Sequence, residues 1–186
     1  MELYLLRHAE TEWSRLDRHT STIDLSLTER GREQAAQLAK KIEGISFEEV
    51  YTSPMKRAVE TCFLKGAIRD SDLVEWNYGE YEGLTSSEIA AKNPSWSLFE
   101  KGAPGGETVV QVEKRADRFL QKLFGKMGNI AIFSHGHFSR VLAARFLGLS
   151  AKEGRIFYLS VASLSVLGFE HEKSVVKLWN SSLLKS

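Results

Sequence analysis

Two short apolar runs in this chain each end at a histidine, and this pattern constrains the fold more than any other feature. The run "LYLLRH" ends at His8, and the run "NIAIFSH" ends at His135. Short runs of aliphatic and aromatic residues bounded by polar groups are typical of buried strands. We therefore predict buried strands over 2–6 and 129–134, each of which delivers an imidazole to its carboxyl end.

The remainder of the chain alternates between strand and helix patterns. Strands are predicted over 2–6, 49–52, 129–134, 156–160, 163–168 and 174–179. Helices are predicted over 28–43, 54–65, 107–127 and 137–147. Thr28 is the expected N-cap of the first helix, and Ser53 caps the second with Pro54 in its first turn. This alternation predicts an α/β fold, a single domain over 1–186 whose mostly parallel sheet is flanked by helices on both faces.

Composition narrows the class of partner and the compartment. A chain of 186 residues with 42% hydrophobic and 26% charged residues is ordinary for one soluble domain. The formal net charge of +1 provides no overall field for nucleic acid or an anionic membrane, so neither partner is expected. The single cysteine, Cys62, excludes an intrachain disulfide and a cysteine-based zinc site. Without a signal-peptide pattern or a membrane-spanning run, we expect a cytoplasmic protein and leave its oligomeric state open.

Polar residues with an affinity for phosphate follow three of the predicted strands. They are Arg7, His8, Ser53, Arg57, His135 and Gly136. In parallel sheets, ligands bind beyond the carboxyl ends of the strands, so these residues should meet at one edge. Arginine pairs bidentately with phosphate oxygens, and the first turn of a helix, where Arg57 lies, also favours an anion.

The chain lacks the usual motifs for nucleotides and metals. It has no glycine-rich nucleotide loop, no H-E-x-x-H motif and no carboxylate cluster for magnesium. We therefore expect no metal and no organic cofactor, and the chemistry has to use the side chains themselves. A neutral imidazole can attack phosphorus directly and form a phosphohistidine.

Five segments occur in an order that is similar to a known family. They are "RHAETEWS", "SLTERGREQA", "SPMKRAVET", "EWNYGEYEG" and "SHGHFSRVLAARFLGL". Together they resemble the histidine phosphatase superfamily, also called phosphoglycerate-mutase-like, over nearly the whole chain. Within it, the chain is most similar to small sugar-phosphate phosphatases, including sedoheptulose-bisphosphatase-like members. The resemblance implies a phosphoglycerate-mutase-like fold.

The resemblance also implies roles for individual residues. His8 matches the family's nucleophile, and Glu75 matches its proton donor. Arg7, Arg57 and His135 match the residues that bind and stabilise the transferring phosphoryl group.

Further substrate contacts are expected at Ser14, His19, Ser21 and Gly136. Ser14 takes a position where many members carry asparagine. Ala9 replaces the usual glycine after the histidine, and Ser21 replaces a glycine of the following loop. These departures remove no catalytic group, and they bear on the choice of substrate. Glu80 and Glu82, close to Glu75, are expected to be solvated or to cap a loop.

These inferences predict a phosphomonoesterase that acts on a small phosphorylated metabolite, such as a sugar phosphate, through a phosphohistidine on His8. A mutase that uses the same first half-reaction is the first rival hypothesis. Related mutases are typically longer and carry a closing tail, whereas this chain stops at Ser186, which favours a phosphatase. Two further hypotheses are a protein phosphatase and a non-catalytic phospho-ligand binding module.

Overall fold

A six-stranded sheet forms the centre of the molecule in the computed structural model, which describes residues 1–182. Its strands are β1 (Glu2–Arg7), β2 (Glu49–Thr52), β3 (Ile68–Arg69), β4 (Asn129–Ser134), β5 (Leu164–Glu170) and β6 (Lys173–Ser181). The order is β3-β2-β4-β1-β5-β6; the first four strands are parallel, and β5 and β6 run antiparallel to their neighbours. The predicted α/β fold with a mostly parallel sheet is therefore confirmed. The assignment of 1–186 to one domain stays a prediction, and its last four residues lie outside the described ones.

Seven helices are described, together with three short 3-10 segments. The helices are α1 (Glu12–Arg15), α2 (Glu29–Lys41), α3 (Lys56–Thr61), α4 (Ser86–Lys92), α5 (Leu98–Lys101), α6 (Val109–Lys122) and α7 (Gly136–Phe146). The 3-10 segments are Ser71–Leu73, Gly79–Tyr81 and Ala151–Ile156. Over residues 1–182, no helix has both the length and the apolar character needed to cross a bilayer.

Side chains of successive strand residues enter cores on opposite faces of the sheet. In β1, Leu3 and Leu5 belong to a cluster that includes Phe119 of α6 and Val141 of α7. Leu6 instead packs in a second cluster that contains residues of α2. This period of two is the one expected for a strand buried on both sides. The prediction of helices on both faces is confirmed.

The helix predicted over 54–65 is shorter and begins later than expected. Met55, rather than Ser53, is the N-cap of α3, and it makes no side-chain capping bond. Ser53 lies before the helix, where its hydroxyl accepts hydrogen bonds from the Met55 N–H at 3.3 Å and from His135 Nε2 at 2.8 Å. By contrast, Thr28 caps α2 as predicted, through its bond from the Gly31 N–H.

The strand predicted over 156–160 is absent from the described fold, and a 3-10 turn and a loop take its place. Its aromatic residues favour a strand by propensity. Its backbone groups are instead bonded by side chains: Arg7 binds the carbonyl of Leu159, Trp179 that of Tyr158, and Asn180 the N–H of Ser160. Side chains from distant parts of the chain therefore make the backbone hydrogen bonds that a neighbouring strand would otherwise make.

Candidate active site

The carboxyl end of β1 and the start of α7 border a cavity of about 500 Å³. Its lining residues are Arg7, His8, Ser14, Asp17, Arg18, His19, Thr20, Glu75, Tyr78, Thr85, Ser86, Ser87, Gly136, His137, Arg140, Tyr158 and Leu159. Six of the predicted site residues are in this set, including His8 and Glu75. Three others, Arg57, His135 and Ser21, lie behind the cavity wall and do not line it.

His8 follows β1 directly and is only 5% exposed. Its Nδ1 lies 2.8 Å from the carbonyl oxygen of Ala9. A carbonyl only accepts hydrogen bonds, so Nδ1 carries the ring proton and Nε2 keeps a free lone pair. Burial holds the pKa of His8 well below its ordinary value, and the charges of Arg57 and Arg7 lower it further. The ring is therefore neutral, and Nε2 is the nitrogen able to act as a nucleophile, a distinction that the sequence alone left open.

Arg7 is a partly buried cation that lines the cavity. Its Nη1 donates to the carbonyl of Leu159 at 2.5 Å, whereas its Nε is buried without a hydrogen-bond partner among the described residues. Burial lowers its pKa, yet a guanidinium remains protonated in proteins. Leaving such a donor unpaired costs about 1–3 kcal/mol. This Nε lies against Gly136 and is closed to the cavity, so an anion there would be attracted by the charge of Arg7 and not by this donor.

Gly136 provides the space that Arg7 occupies. A Cβ at this position would lie 3.0 Å from Arg7 Cζ and 3.2 Å from its Nε. The absence of a side chain at the first residue of α7 therefore lets the guanidinium lie against the helix N-terminus.

Arg57 and His135 form a buried hydrogen-bonded chain with Ser53. The Arg57 Nε donates to His135 Nδ1 at 3.1 Å, so the proton of His135 is on Nε2, which donates to the Ser53 hydroxyl at 2.8 Å. Burial, followed by the charge of Arg57, holds the pKa of His135 well below its ordinary value. The ring centroids of His135 and His8 are 5.3 Å apart. His135 is thus neutral and has the opposite tautomer to His8.

The remaining donors of Arg57 hold the loop that follows α1. Its Nη2 donates to the carbonyls of Thr20 and Ser21 at 3.3 and 3.1 Å, and its Nη1 donates to that of Ile23 at 3.1 Å. On the other side, the carboxylate of Glu82 accepts the N–H groups of Ser21 and Ile23, each at 2.8 Å. Glu82 is therefore a structural anchor of this loop and not the merely solvated or cap-forming residue that we expected.

Glu75 projects into the cavity from the chain segment before the Gly79–Tyr81 turn. Its Oε1 accepts the N–H groups of Trp76 and Phe138, both at 2.8 Å, and its Oε2 accepts that of His137 at 3.1 Å. Two of these N–H groups belong to the first turn of α7, where a carboxylate is favoured by the helix dipole. The carboxylate is thereby fixed in orientation beside the cavity.

Two of the predicted substrate contacts, Ser14 and His19, line the cavity, whereas Ser21 does not. The hydroxyl of Ser14 exchanges bonds with the backbone of Thr11 and caps α1. The Nδ1 of His19 is hydrogen-bonded to the carbonyl oxygen of Leu84 at 3.0 Å. Ser21 is buried, and its hydroxyl accepts the N–H of Tyr78 at 3.2 Å. The side chain of Ser21 thus takes part in holding the loop, and its contact with substrate stays a prediction.

Sequence reasoning missed Arg140, which also lines the cavity. Its guanidinium lies 4.5 Å from the ring centroid of Phe99 and donates to the carbonyls of Gly154 and Arg155 at 3.0 and 2.8 Å. Arg140 is four residues after Gly136 on the predicted helix, so it shares a face with Gly136. That spacing was the signal that could have identified it.

The charges around the cavity favour an anion. Three guanidinium groups line it, those of Arg7, Arg18 and Arg140, against the carboxylates of Asp17 and Glu75. Over residues 1–182, no three His, Cys, Asp or Glu side chains come together in a group that could hold a metal ion. The arrangement can bind a phosphate ester next to a neutral imidazole and a carboxylate.

Comparison with known proteins identifies the family. The model of the histidine phosphatase superfamily (branch 1) matches residues 3–182. The chain belongs to this superfamily. An acid phosphatase of Mycobacterium tuberculosis is 39% identical over 176 residues, which are 91% of this chain and 87% of that protein. A sedoheptulose 1,7-bisphosphatase of Saccharomyces cerevisiae is 29% identical over 187 residues, which are 80% of this chain and 68% of that protein.

Solved structures place the fold in the same superfamily. The structure of an open-reading-frame product of Mycobacterium tuberculosis has a TM-score of 0.88 with this chain at 38% identity and covers 97% of both chains. The expected phosphoglycerate-mutase-like fold and the expected histidine phosphatase enzyme are thereby confirmed. The roles of individual residues in this histidine phosphatase remain proposals.

Proposed function

We propose that this histidine phosphatase hydrolyses a small phosphorylated metabolite, such as a sugar phosphate, through a phosphohistidine on Nε2 of His8. The observation that carries the proposal is the pairing, on one cavity, of a neutral imidazole whose Nε2 is free with the guanidinium of Arg7. The first supplies a nucleophile, and the second supplies a site for the oxygens of the phosphoryl group.

In the first step, His8 Nε2 attacks phosphorus and the bond from phosphorus to the ester oxygen breaks. Arg7 donates to the equatorial oxygens, and the positive charge of Arg57 behind the wall stabilises the phosphoryl group at longer range. Glu75 in its protonated form gives its proton to the departing alkoxide, so the product leaves as an alcohol.

In the second step, Glu75 takes a proton from a water molecule, whose oxygen attacks the phosphohistidine. The nitrogen–phosphorus bond breaks, inorganic phosphate leaves, and both His8 and Glu75 return to their starting protonation states. The hydrogen bond from His8 Nδ1 to Ala9 stabilises the positive ring that exists in between.

The borders of the cavity support a small substrate over a phosphorylated protein. Arg18 and His19 close one side, and they are held by the carbonyls of Gly83 and Leu84, respectively. Their tethering to a neighbouring segment makes a walled pocket rather than an open surface. The name of the yeast relative, a sedoheptulose bisphosphatase, supports a sugar phosphate as the substrate class.

The single cysteine also supports our proposal of a cytoplasmic location.

The proposal is tested by hydrolysis of p-nitrophenyl phosphate in excess chelator, with the wild type beside His8→Ala. We expect chelator-resistant turnover that falls by at least about 1,000-fold in His8→Ala, because the nucleophile is lost. His171→Asn is the matched control: His171 is exposed in the β5–β6 turn with a φ of 45°, which asparagine tolerates, and full activity is expected.

A second readout distinguishes the phosphatase from the mutase. Intact-mass analysis of base-quenched enzyme should show one added phosphoryl group in the wild type and none in His8→Ala. Activity that survives His8→Ala would overturn the nucleophile assignment. A phosphoenzyme that releases phosphate only to a second metabolite, and not to water, would identify a mutase instead.

A further inference from the structure

We propose that Arg115, a buried residue of α6 outside the cavity, is a positioning residue that sets the place of Glu75 and thereby the protonation of the leaving group. This inference rests on the acid/base role proposed for Glu75. Arg115 is 6% exposed and does not line the cavity, so it acts only through other residues.

The guanidinium of Arg115 binds the backbone of the segment that carries Glu75. Its Nη1 donates to the carbonyls of Asp72 and Val74 at 2.8 and 2.7 Å, and its Nη2 donates to the carbonyl of Glu75 itself at 3.2 Å. Residues 75–77 lie between two 3-10 turns and belong to no helix or strand. Backbone carbonyls of such a segment need partners when buried, and one side chain supplies three.

The other side of the same guanidinium is held by Glu107. Arg115 Nε and Nη2 donate to the two carboxylate oxygens at 2.9 and 2.8 Å. Glu107 in turn accepts the N–H of Asn77 at 2.9 Å and, through its carbonyl, the indole N–H of Trp76 at 2.9 Å. The pair therefore fixes the backbone on both sides of Glu75, and all five N–H donors of Arg115 are used.

Arg115 also contacts the residue that orients the Glu75 carboxylate. Its guanidinium carbon lies 4.4 Å from the ring centroid of Phe138, and the Phe138 N–H donates to Glu75 Oε1 at 2.8 Å. The planar guanidinium thus holds the main chain of Glu75 and packs against a residue whose N–H is one of three donors to the Glu75 carboxylate. Lysine has neither the plane nor the number of donors to replace it.

Misplacement of a general acid has a signature that simple destabilisation lacks. An alkoxide leaving group needs a proton in the transition state, whereas p-nitrophenolate leaves readily without one. A shift of about 1 Å in a catalytic group costs about 100-fold in rate when its geometry matters. Loss of positioning should therefore slow turnover of alkyl phosphates far more than turnover of p-nitrophenyl phosphate.

The test compares kcat/KM, which reports only the steps up to departure of the alcohol, for β-glycerophosphate and p-nitrophenyl phosphate in Arg115→Lys and Glu75→Gln. Lysine keeps a positive charge opposite Glu107. We expect Arg115→Lys to lower kcat/KM about 10- to 100-fold on β-glycerophosphate and less than about 3-fold on p-nitrophenyl phosphate. Arg118→Lys is the matched control, since Arg118 is exposed on the same helix and, within residues 1–182, pairs only with the side chain of Asp72. It should change both rates by less than about 2-fold.

The outcomes separate this inference from the proposed function. If Glu75→Gln lowers kcat/KM equally for both substrates, the role of Glu75 as proton donor to the leaving group fails. If Glu75→Gln shows the leaving-group signature and Arg115→Lys does not, only the positioning role is overturned. When Arg115→Lys is combined with Glu75→Gln, it should add less than about 3-fold to the loss that Glu75→Gln alone causes on β-glycerophosphate, because Arg115 acts through Glu75.

A second variant keeps the test open if Arg115→Lys does not fold. Glu107→Gln leaves the guanidinium and its carbonyl contacts in place but removes the charge that anchors it. The same leaving-group signature is expected, reduced to about 3- to 10-fold on β-glycerophosphate. The inference would be overturned by a soluble Glu107→Gln protein whose rates, relative to the wild type, change by the same factor on both substrates.

Discussion

Three arginines in this histidine phosphatase differ in how many of their donors are occupied. Among the described residues, Arg7 donates one hydrogen bond, to Leu159, whereas Arg57 donates four, to His135 and the loop after α1, and Arg115 donates five. A guanidinium without remaining donors cannot bind substrate well, whatever its charge. We therefore expect Arg7, which also lines the cavity, to be the principal direct phosphate ligand of the three.

The space beside Arg7 leads to a prediction for Gly136→Ala. The added Cβ would meet the guanidinium at 3.0 Å, closer than side chains normally approach, so Arg7 has to shift by several tenths of an ångström. We expect KM for p-nitrophenyl phosphate to rise and kcat/KM to fall about 10-fold, while the melting temperature changes little because alanine suits a helix.

Ser139→Ala is the control for this substitution on the same helix. Ser139 is buried, its hydroxyl is without a hydrogen-bond partner among the described residues, and it does not line the cavity. Its replacement should leave kcat/KM unchanged. Wild-type kinetics in Gly136→Ala would show that the position of Arg7 does not limit phosphate binding.

Site residues near the strand ends could be predicted from the sequence, but their hydrogen-bond states could not. Arg7, His8 and Glu75 were identified from ordered motifs, and the structure places them on one cavity. The proton positions depend on partners far away in the chain, such as Ser53, which is 82 residues from His135. No local pattern encodes such a contact.

At the scale of elements, the loop over residues 20–23 is held between two opposite charges. Arg57 binds its carbonyls, and Glu82 binds its N–H groups and the hydroxyl of Thr22. Hydrogen bonds from Ile23, Thr22 and Ser21 outweigh the effect of burial and lower the pKa of Glu82. The loop in turn fixes the guanidinium behind His8.

Removal of this anchor predicts a loss of activity in Glu82→Ala. The freed loop no longer presents its carbonyls to Arg57, so we expect kcat to fall about 10-fold on both β-glycerophosphate and p-nitrophenyl phosphate. Glu80→Ala, an exposed neighbour, should retain wild-type kcat. A loss confined to β-glycerophosphate would instead implicate Glu82 in protonation of the leaving group.

Element boundaries were predictable where local signals decide them and not where tertiary contacts do. The cap at Thr28 fixes the start of α2 within one residue of the prediction. The strand expected over 156–160 failed because Arg7, Trp179 and Asn180 take its backbone groups. Helices α4 and α5 were missed because they are short, at seven and four residues, and lie in an irregular segment.

At the scale of the whole molecule, the fold buries imidazoles in their neutral form. Burial is the largest cause of a lowered pKa at His8, His19, His135 and His137. Each ring is held in orientation by a hydrogen bond. This arrangement keeps His8, the proposed nucleophile, neutral below pH 7, and it also couples folding to the protonation of these rings.

The free energy of unfolding should therefore decrease as the pH falls below about 6.5, where histidines in an unfolded chain begin to bind protons. Because the four native rings have lowered pKa values, the unfolded state binds more protons, so stability rises with pH through this window and is complete above it. Each ring contributes up to about 1.4 kcal/mol per pH unit. Urea denaturation at pH 5.5, 6.5 and 7.5 measures the slope above the range in which most carboxylates titrate. His19→Asn should reduce the slope of the unfolding free energy against pH by the contribution of one ring, up to about 1.4 kcal/mol per pH unit. A free energy of unfolding that is equal at pH 5.5 and pH 7.5 would contradict the burial of neutral imidazoles.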